Sequence, residues 1–189
     1  NQYVRAEDSE RLDTFDNVGL LDLLISRGPD VVADLPTNLK DKESMAETIE
    51  NNIRKTIVDE NPTNPKYFDK MSVLLDELIE KRKQEVIDYK KYLEEMSQLA
   101  KQVKQPQGSN YPNEINTPGK QALFDNFSQD VDWVGRLDHA IQTNKLDGYL
   151  TNKMKQKRLK VQLKPLIDEK DLDIDEVFEL IIRQAEYGA

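Results

Sequence analysis

The stretch that most limits how this chain can fold is Asn61–Pro65, "NPTNP", with apolar-periodic segments on both sides. Proline disfavours the α conformation in the residue before it, so Asn61-Pro62 ends whatever helix arrives from the N-terminal side. Asn64 is a good helix cap. Pro65 then stands at a first helical position, where its missing N–H costs little. The stretch therefore reads as a stop followed at once by a start, and two helices joined so tightly pack as neighbours.

The flanking segments supply the helices. Met45, Ile49, Ile53 and Ile57 recur every four residues and draw one apolar stripe, which predicts a helix from about Asp41 to Asp59. Ser44 with Glu47 offers capping-box spacing one turn in. After Pro65 come Met71, Leu74, Leu75, Leu78 and Ile79, then Val86, Tyr89, Leu93, Met96, Ala100 and Val103. No glycine or proline interrupts residues 66–104. That leaves two readings: one helix of about forty residues, or two with a bend near Gln84–Asp88 in which Asp88 caps the second.

Upstream, residues 1–16 are polar and lack periodicity. "NVGLLDLLISRGP" gives a short helix stopped at Gly28-Pro29, and residues 29–40 read as a loop. Downstream, "QPQGSNYPNEINTPG" at 105–119 carries three prolines and two glycines and reads as a linker. Beyond it lie "KQALFDNF", "VDWVGRLDHAIQTN" and a helix from about Leu150 to Ile167. In the last helix Asp173 and Glu176 have capping-box spacing, Leu172 can staple against Val177, and Ile174, Val177, Phe178, Ile181, Ile182 and Ala185 share a face. No alternating strand pattern competes. The expected fold is an all-α multi-helix bundle in two subdomains: 1–104, containing the long helix or helix pair 65–104, and 120–189, joined by the linker 105–119.

Composition agrees with this picture. Of 189 residues, 37% are hydrophobic and 33% charged, which suits helices with much exposed surface better than a doubly covered sheet. The net charge of −9 argues against a surface that binds nucleic acid as a whole, while leaving room for a local basic stripe. There is no cysteine, hence no disulfide or thiolate chemistry, and a reducing cytosol is the expected compartment. The longest apolar run falls far short of the ~20 residues that span a bilayer, so no membrane role is expected. The chain begins at Asn1 without a signal-peptide pattern, and reads as a piece of a longer protein or a processed chain.

No catalytic, cofactor-binding or metal-binding residues emerge. The phosphate-cradling G-x-x-x-x-G-K-[ST] and G-x-G-x-x-G patterns are missing, and His139 is the single histidine, which excludes a site of several imidazoles. It reads as an ordinary structural or exposed histidine. The acidic run "IDEKDLDIDE" lacks the Gly and Glu spacing of a calcium loop, and helix capping explains its acids. Trp133 and Tyr149 read as packing residues, because no basic–aromatic interleaving accompanies them.

The informative charge feature is "TNKMKQKRLKVQLK" at Thr151–Lys164, with six basic residues and no acidic one. On a helix Lys153, Lys157, Lys160 and Lys164 share one stripe, with Met154 and Val161 on one side and Leu159, Leu163 and Leu166 on the other. It reads either as a solvated face beside the acidic segment 168–179, or as a contact for phosphates or an acidic partner.

The stretch from Glu50 to Val103, "ENNIRKTIVDENPTNPKYFDKMSVLLDELIEKRKQEVIDYKKYLEEMSQLAKQV", resembles the C-terminal helical region of the R (restriction, or motor) subunit of type I restriction–modification enzymes. The "YP…IN" of Tyr111–Asn116, "ALFDN" of Ala122–Asn126, "KMKQKRLKVQLKPLI" of Lys153–Ile167 and "RQAEY" of Arg183–Tyr187 continue the resemblance, as does "LLDLLISRGPD" near the start. It implies a parent protein that is an ATP-dependent, Mg²⁺-using site-specific deoxyribonuclease, with nuclease and motor domains ahead of this region. None of their motifs stands here, so the chain itself is expected to be non-catalytic. Its implied role is to dock the motor subunit onto the methyltransferase (M) and specificity (S) subunits, with DNA reached through the complex. The alternative is a module that binds the DNA backbone through its lysine stripe.

Overall fold

The computed structural model describes residues 19–28, 42–106 and 111–188. The polar segment 1–16 and the loop expected at 29–40 lie outside them. The described residues form nine α-helices and two short 3₁₀ turns, with no strand, so the fold is all-α. They are α1 (Gly19–Arg27), α2 (Lys42–Glu60), α3 (Pro65–Lys83), α4 (Tyr89–Lys104), α5 (Pro118–Asn126), α6 (Val131–Asn144), α7 (Lys153–Asp168), α8 (Ile174–Ile182) and α9 (Ala185–Gly188). The chain divides into two compact units, 1–58 with 71–105, and 59–70 with 106–189. The NPTNP turn thus belongs with the C-terminal unit, although it sits in the middle of the N-terminal half of the sequence.

In the first unit, α1 ends where Gly28 turns left-handed, at φ +74°, and its N–H reaches Leu24 O at 3.0 Å. This is the glycine stop expected at that position. Met45, Ile49, Ile53 and Ile57 of α2 are all buried, as are Met71, Leu75 and Leu78 of α3 and Leu93, Met96, Ala100 and Val103 of α4. Each of these side chains except Ala100 contributes about 1.5–3 kcal/mol by leaving water, less what the unfolded chain already hides. Of the open readings for 65–104, the structure takes two helices. Glu85 adopts φ +54°, with Glu85 N–H on Arg82 O and Val86 N–H on Lys81 O, both at 3.0 Å. That pair of bonds is a Schellman ending, which satisfies carbonyls an uninterrupted helix would have used onward. Asp88 then caps α4 through Lys91 N–H at 2.9 Å. Val86, which the periodicity assigns to the apolar face, lies in this connection and is exposed.

The first unit also buries charge. Glu50 accepts from Arg82 Nε at 3.0 Å and from Tyr92 Oη at 2.8 Å, and Arg82 reaches Glu43 at 2.6 Å. Three helices, α2, α3 and α4, are joined at one carboxylate.

The second unit has its own core, built from Ile115, Leu123, Trp133, Leu137, Ile141, Tyr149, Leu159, Leu163, Ile167, Phe178 and Ile181 among others. Four helix starts carry a side-chain cap: Thr117 for α5, Asp130 for α6, Asn152 for α7 and Asp173 for α8. α7 ends in a second Schellman turn, with Asp171 at φ +53° and Leu172 N–H on Ile167 O at 3.3 Å. The indole of Trp133, fully buried, donates from Nε1 to Leu166 O at 2.7 Å, so the lone tryptophan caps a carbonyl at the end of α7.

Two boundaries differ from expectation. The segment read as linker through Gly119 becomes helix at Pro118, because Thr117 Oγ1 accepts from Lys120 N–H at 3.4 Å and Pro118 fits the first turn. Gly119 is needed there for space, since a Cβ would collide with the Glu186 carboxylate and lie 2.8 Å from the Tyr187 ring. Before it, Ile115 is buried and its N–H closes a turn on Pro112 O at 2.9 Å. The terminal helix stops at Ile182, and Ala185 belongs to the separate short α9.

Candidate interaction surface

Two arrangements in the second unit bring polar side chains together, the first of them from distant parts of the sequence. The first closes around the NPTNP turn. Asn126 Nδ2 donates to Asn64 Oδ1 at 2.7 Å, and Asn64 Nδ2 donates to Asp125 Oδ2 at 2.7 Å. Tyr111 Oη donates to the same Asp125 oxygen at 2.5 Å. Lys66 Nζ reaches Asn126 O at 2.8 Å, and Gln184 Nε2 reaches Thr63 O at 2.7 Å. Asn64 also receives Tyr67 N–H at 3.4 Å, so it keeps the capping role that its position before Pro65 implies. The hydrogen bond from Tyr111 follows from chemistry. Burial, then the Asp125 carboxylate as its acceptor, pushes the phenol well above its usual range, so it stays a donor. Sequence spacing gave no sign that these residues meet. The only available signal was that they lie in the short stretches "YP", "ALFDN", "NPTNP" and "RQAEY".

A groove of about 430 Å³ borders this clasp, lined by Pro62, Pro65, Phe127 and Leu180 with Lys66 and Arg183 at its edge. A shallower depression of about 690 Å³ runs over α6 past Gly135, Arg136 and His139. Arg136 is already committed there, to Asp132 at 2.9 Å and to Glu169 through two bonds of 2.9 and 2.7 Å. His139 is exposed. Trp133 and Tyr149 are core residues, and the Tyr149 ring meets Phe178 edge-on. Among the described residues no group of three or more His, Cys, Asp or Glu side chains is placed to hold a metal ion, and no helix is long and apolar enough to cross a membrane.

The second arrangement is the outer side of α7. Its inner stripe, Leu159, Leu163 and Ile167, is fully buried. The four stripe lysines do not share one fate. Lys160 pairs with Asp175 at 2.6 Å and lies over the Phe178 ring, 4.6 Å from its centroid. Lys164 pairs with Asp168 at 2.8 Å. Both acids come from the segment 168–179, so half of the stripe does neighbour it. Lys153 and Lys157 are exposed and make no ion pair among the described residues, and the same holds for Arg158. Lys155, off the stripe, donates to Asp147 O at 2.6 Å. Beside these cations Met154 is 76% exposed and Val161 60%. Set against protein-family models, curated proteins and solved structures, the chain matches none.

Proposed function

We propose that this chain is the helical assembly region of the R subunit of a type I restriction–modification enzyme. In this reading it is a non-catalytic module that docks an ATP-driven DNA translocase and endonuclease onto a methyltransferase core. The observation that supports it is the clasp. Stretches that carry the resemblance, lying as far apart as the 121 positions between Thr63 and Gln184, meet in one hydrogen-bonded network around Asn64. An ordered set of short motifs that closes in space has one physical reason, which makes chance recurrence of each piece a poorer account of it. ATP and Mg²⁺ then belong to the motor and nuclease parts of the parent protein. The M and S subunits are the partners, and DNA is reached through the assembled complex in the cytoplasm.

The rival is direct binding of the DNA backbone by the α7 lysines. Its support is that Lys153 and Lys157 are unpaired, but Lys160 and Lys164 are held by Asp175 and Asp168. Two phosphate contacts give a log–log salt slope of about −1.8, too shallow and too weak for tight binding by a chain of charge −9. The deciding experiment titrates the chain against the cognate methyltransferase core and against a DNA duplex at low and moderate salt. Capture of the core at both salt levels is the expected result. Tight salt-sensitive binding of the duplex with no capture of the core would replace the docking reading with the DNA one.

A further inference from the structure

The exposed side of α7 is more than a lysine face. Met154, Arg158, Val161 and Pro165 follow i, i+4, i+7, i+11 and so lie in one stripe, and all four are exposed. The lysine stripe Lys153, Lys157, Lys160 and Lys164 runs alongside it, one position earlier throughout. Single exposed apolar side chains are ordinary, but a methionine and a valine aligned two turns apart, with unpaired cations between and beside them, form a patterned surface. Pro165 extends it, and also withholds the N–H that would close onto the Val161 carbonyl, leaving an acceptor within the same face.

We propose that this stripe docks an acidic amphipathic helix of a partner protein. The argument is charge and shape together. Between Thr151 and Ile167 the chain has six basic residues and no acidic one, inside a chain of net charge −9. The local field therefore selects for carboxylates where most of the surface would repel them. A helix is the matching shape because the stripe is one helix wide and spans about 17 Å from Met154 to Pro165, three turns. Aliphatic side chains of the partner at i, i+3 or i+4, and i+7 cover Met154 and Val161, and carboxylates on its flanks reach Lys153 and Lys157 on one side and Arg158 beside the apolar pair. A duplex backbone would meet the same cations but gains nothing from the two apolar side chains it would cover. A bilayer would need a far larger apolar face than these two residues offer. The inference rests on the docking reading for its place in an assembly, and on α7 alone for its chemistry.

The test uses the whole chain and three defined probes at moderate salt. These are a synthetic helical peptide with leucines at i, i+4 and i+7 and glutamates on both flanks, a scrambled peptide of the same composition, and a DNA duplex. The patterned peptide should bind at least about tenfold more tightly than the scramble, and Met154→Ser/Val161→Ser should remove about that factor. Lys157→Glu/Arg158→Glu should abolish binding of the patterned peptide. All four side chains are exposed, so thermal melting should be unchanged in both variants, which ties any loss to the surface. Equal binding of the two peptides, an unaffected serine variant, or a duplex that outcompetes both peptides would overturn the proposal. The methyltransferase core separates the two readings. If wild type and the serine variant capture it equally, the α7 surface is wrong and docking stands. If the core is never captured while the peptides are still discriminated, docking is wrong and the surface stands.

Discussion

Asn126 donates from Nδ2 to Asn64 Oδ1 at 2.7 Å across 62 positions of sequence, and Asn64 passes the interaction on to Asp125 at 2.7 Å. Asn64 is buried, so its amide has little water to fall back on. Asn64→Ala should therefore destabilise the second unit by about 1–3 kcal/mol, the cost of leaving buried polar partners unmade. Asn64→Asp keeps the acceptor for Asn126 and Tyr67 but sets a carboxylate against Asp125, and should be at least as damaging at neutral pH. Urea unfolding of the three proteins measures this. Two variants as stable as wild type would mean that the clasp contributes nothing to the fold.

The buried ion pair of the first unit gives a second expectation. Arg82 and Glu50 are each about 10% exposed at the side chain, with Nε 3.0 Å from Oε1. Arg82→Met leaves Glu50 charged with only the Tyr92 hydroxyl as partner, and should cost roughly 2–4 kcal/mol. Adding Glu50→Gln should recover a good part of that loss, since the uncompensated charge is gone. A double-mutant cycle by chemical denaturation reads the coupling. Additive losses would show that the two side chains act independently.

Two aromatic residues of the second core should respond in opposite ways to conversion into phenylalanine. Trp133 loses its bond to Leu166 O and the volume of a fused ring, so Trp133→Phe should destabilise by about 1–3 kcal/mol. The Tyr149 hydroxyl is buried with no hydrogen-bond partner among the described residues, and burial alone raises its pKa. Tyr149→Phe removes a desolvated group that gives nothing back, and should be neutral or stabilising by up to about 1 kcal/mol. A marked loss on Tyr149→Phe in thermal melts would show that the hydroxyl is satisfied in solution.

Acid should weaken the second unit through two ion-paired carboxylates. Lys170, bonded to Asp130 at 2.8 Å, lowers the Asp130 pKa, helped by the Trp133 N–H. Arg136 lowers that of Glu169 in the same way. A carboxylate depressed in the folded state stabilises above its unfolded pKa, about 3.9 for Asp and 4.3 for Glu, and loses that contribution as pH falls through the lower folded value. The melting temperature should therefore be insensitive to these groups from neutral pH down to about 5, then fall more steeply than in Lys170→Met. Parallel profiles for the two proteins below pH 4 would remove Asp130 from the account.

Much of the fold could be read along the chain, and for local reasons. The stripe Met45, Ile49, Ile53 and Ile57 is buried throughout because four-residue spacing on a helix leaves those side chains one face and one place to go. Asp88, Asp173 and Asn64 sit at helix starts because a short acceptor side chain there satisfies N–H groups that no other residue reaches. Val86 failed the same logic. It continues the apolar period, but Glu85 turns left-handed beside it, and periodicity carries no information about where a helix ends in a Schellman turn.

The sites divide along the same line. That Met154 and Val161 flank the lysines of α7 is a matter of spacing within one helix, so sequence alone determines it. That Lys160 is occupied while Lys153, Lys157 and Arg158 are not depends on where Asp175 comes to rest, whereas the pairing of Lys164 with Asp168 is an i, i+4 contact within α7. Likewise, sequence determined that the chain stops and restarts at Asn61–Pro65, because proline and asparagine act on their immediate neighbours. That the restart is gripped by Tyr111, Asp125, Asn126 and Gln184 was decided only by tertiary structure. Hydrogen bonds between residues about 60 to 120 positions apart have no period to betray them, and form only once packing has brought their helices together.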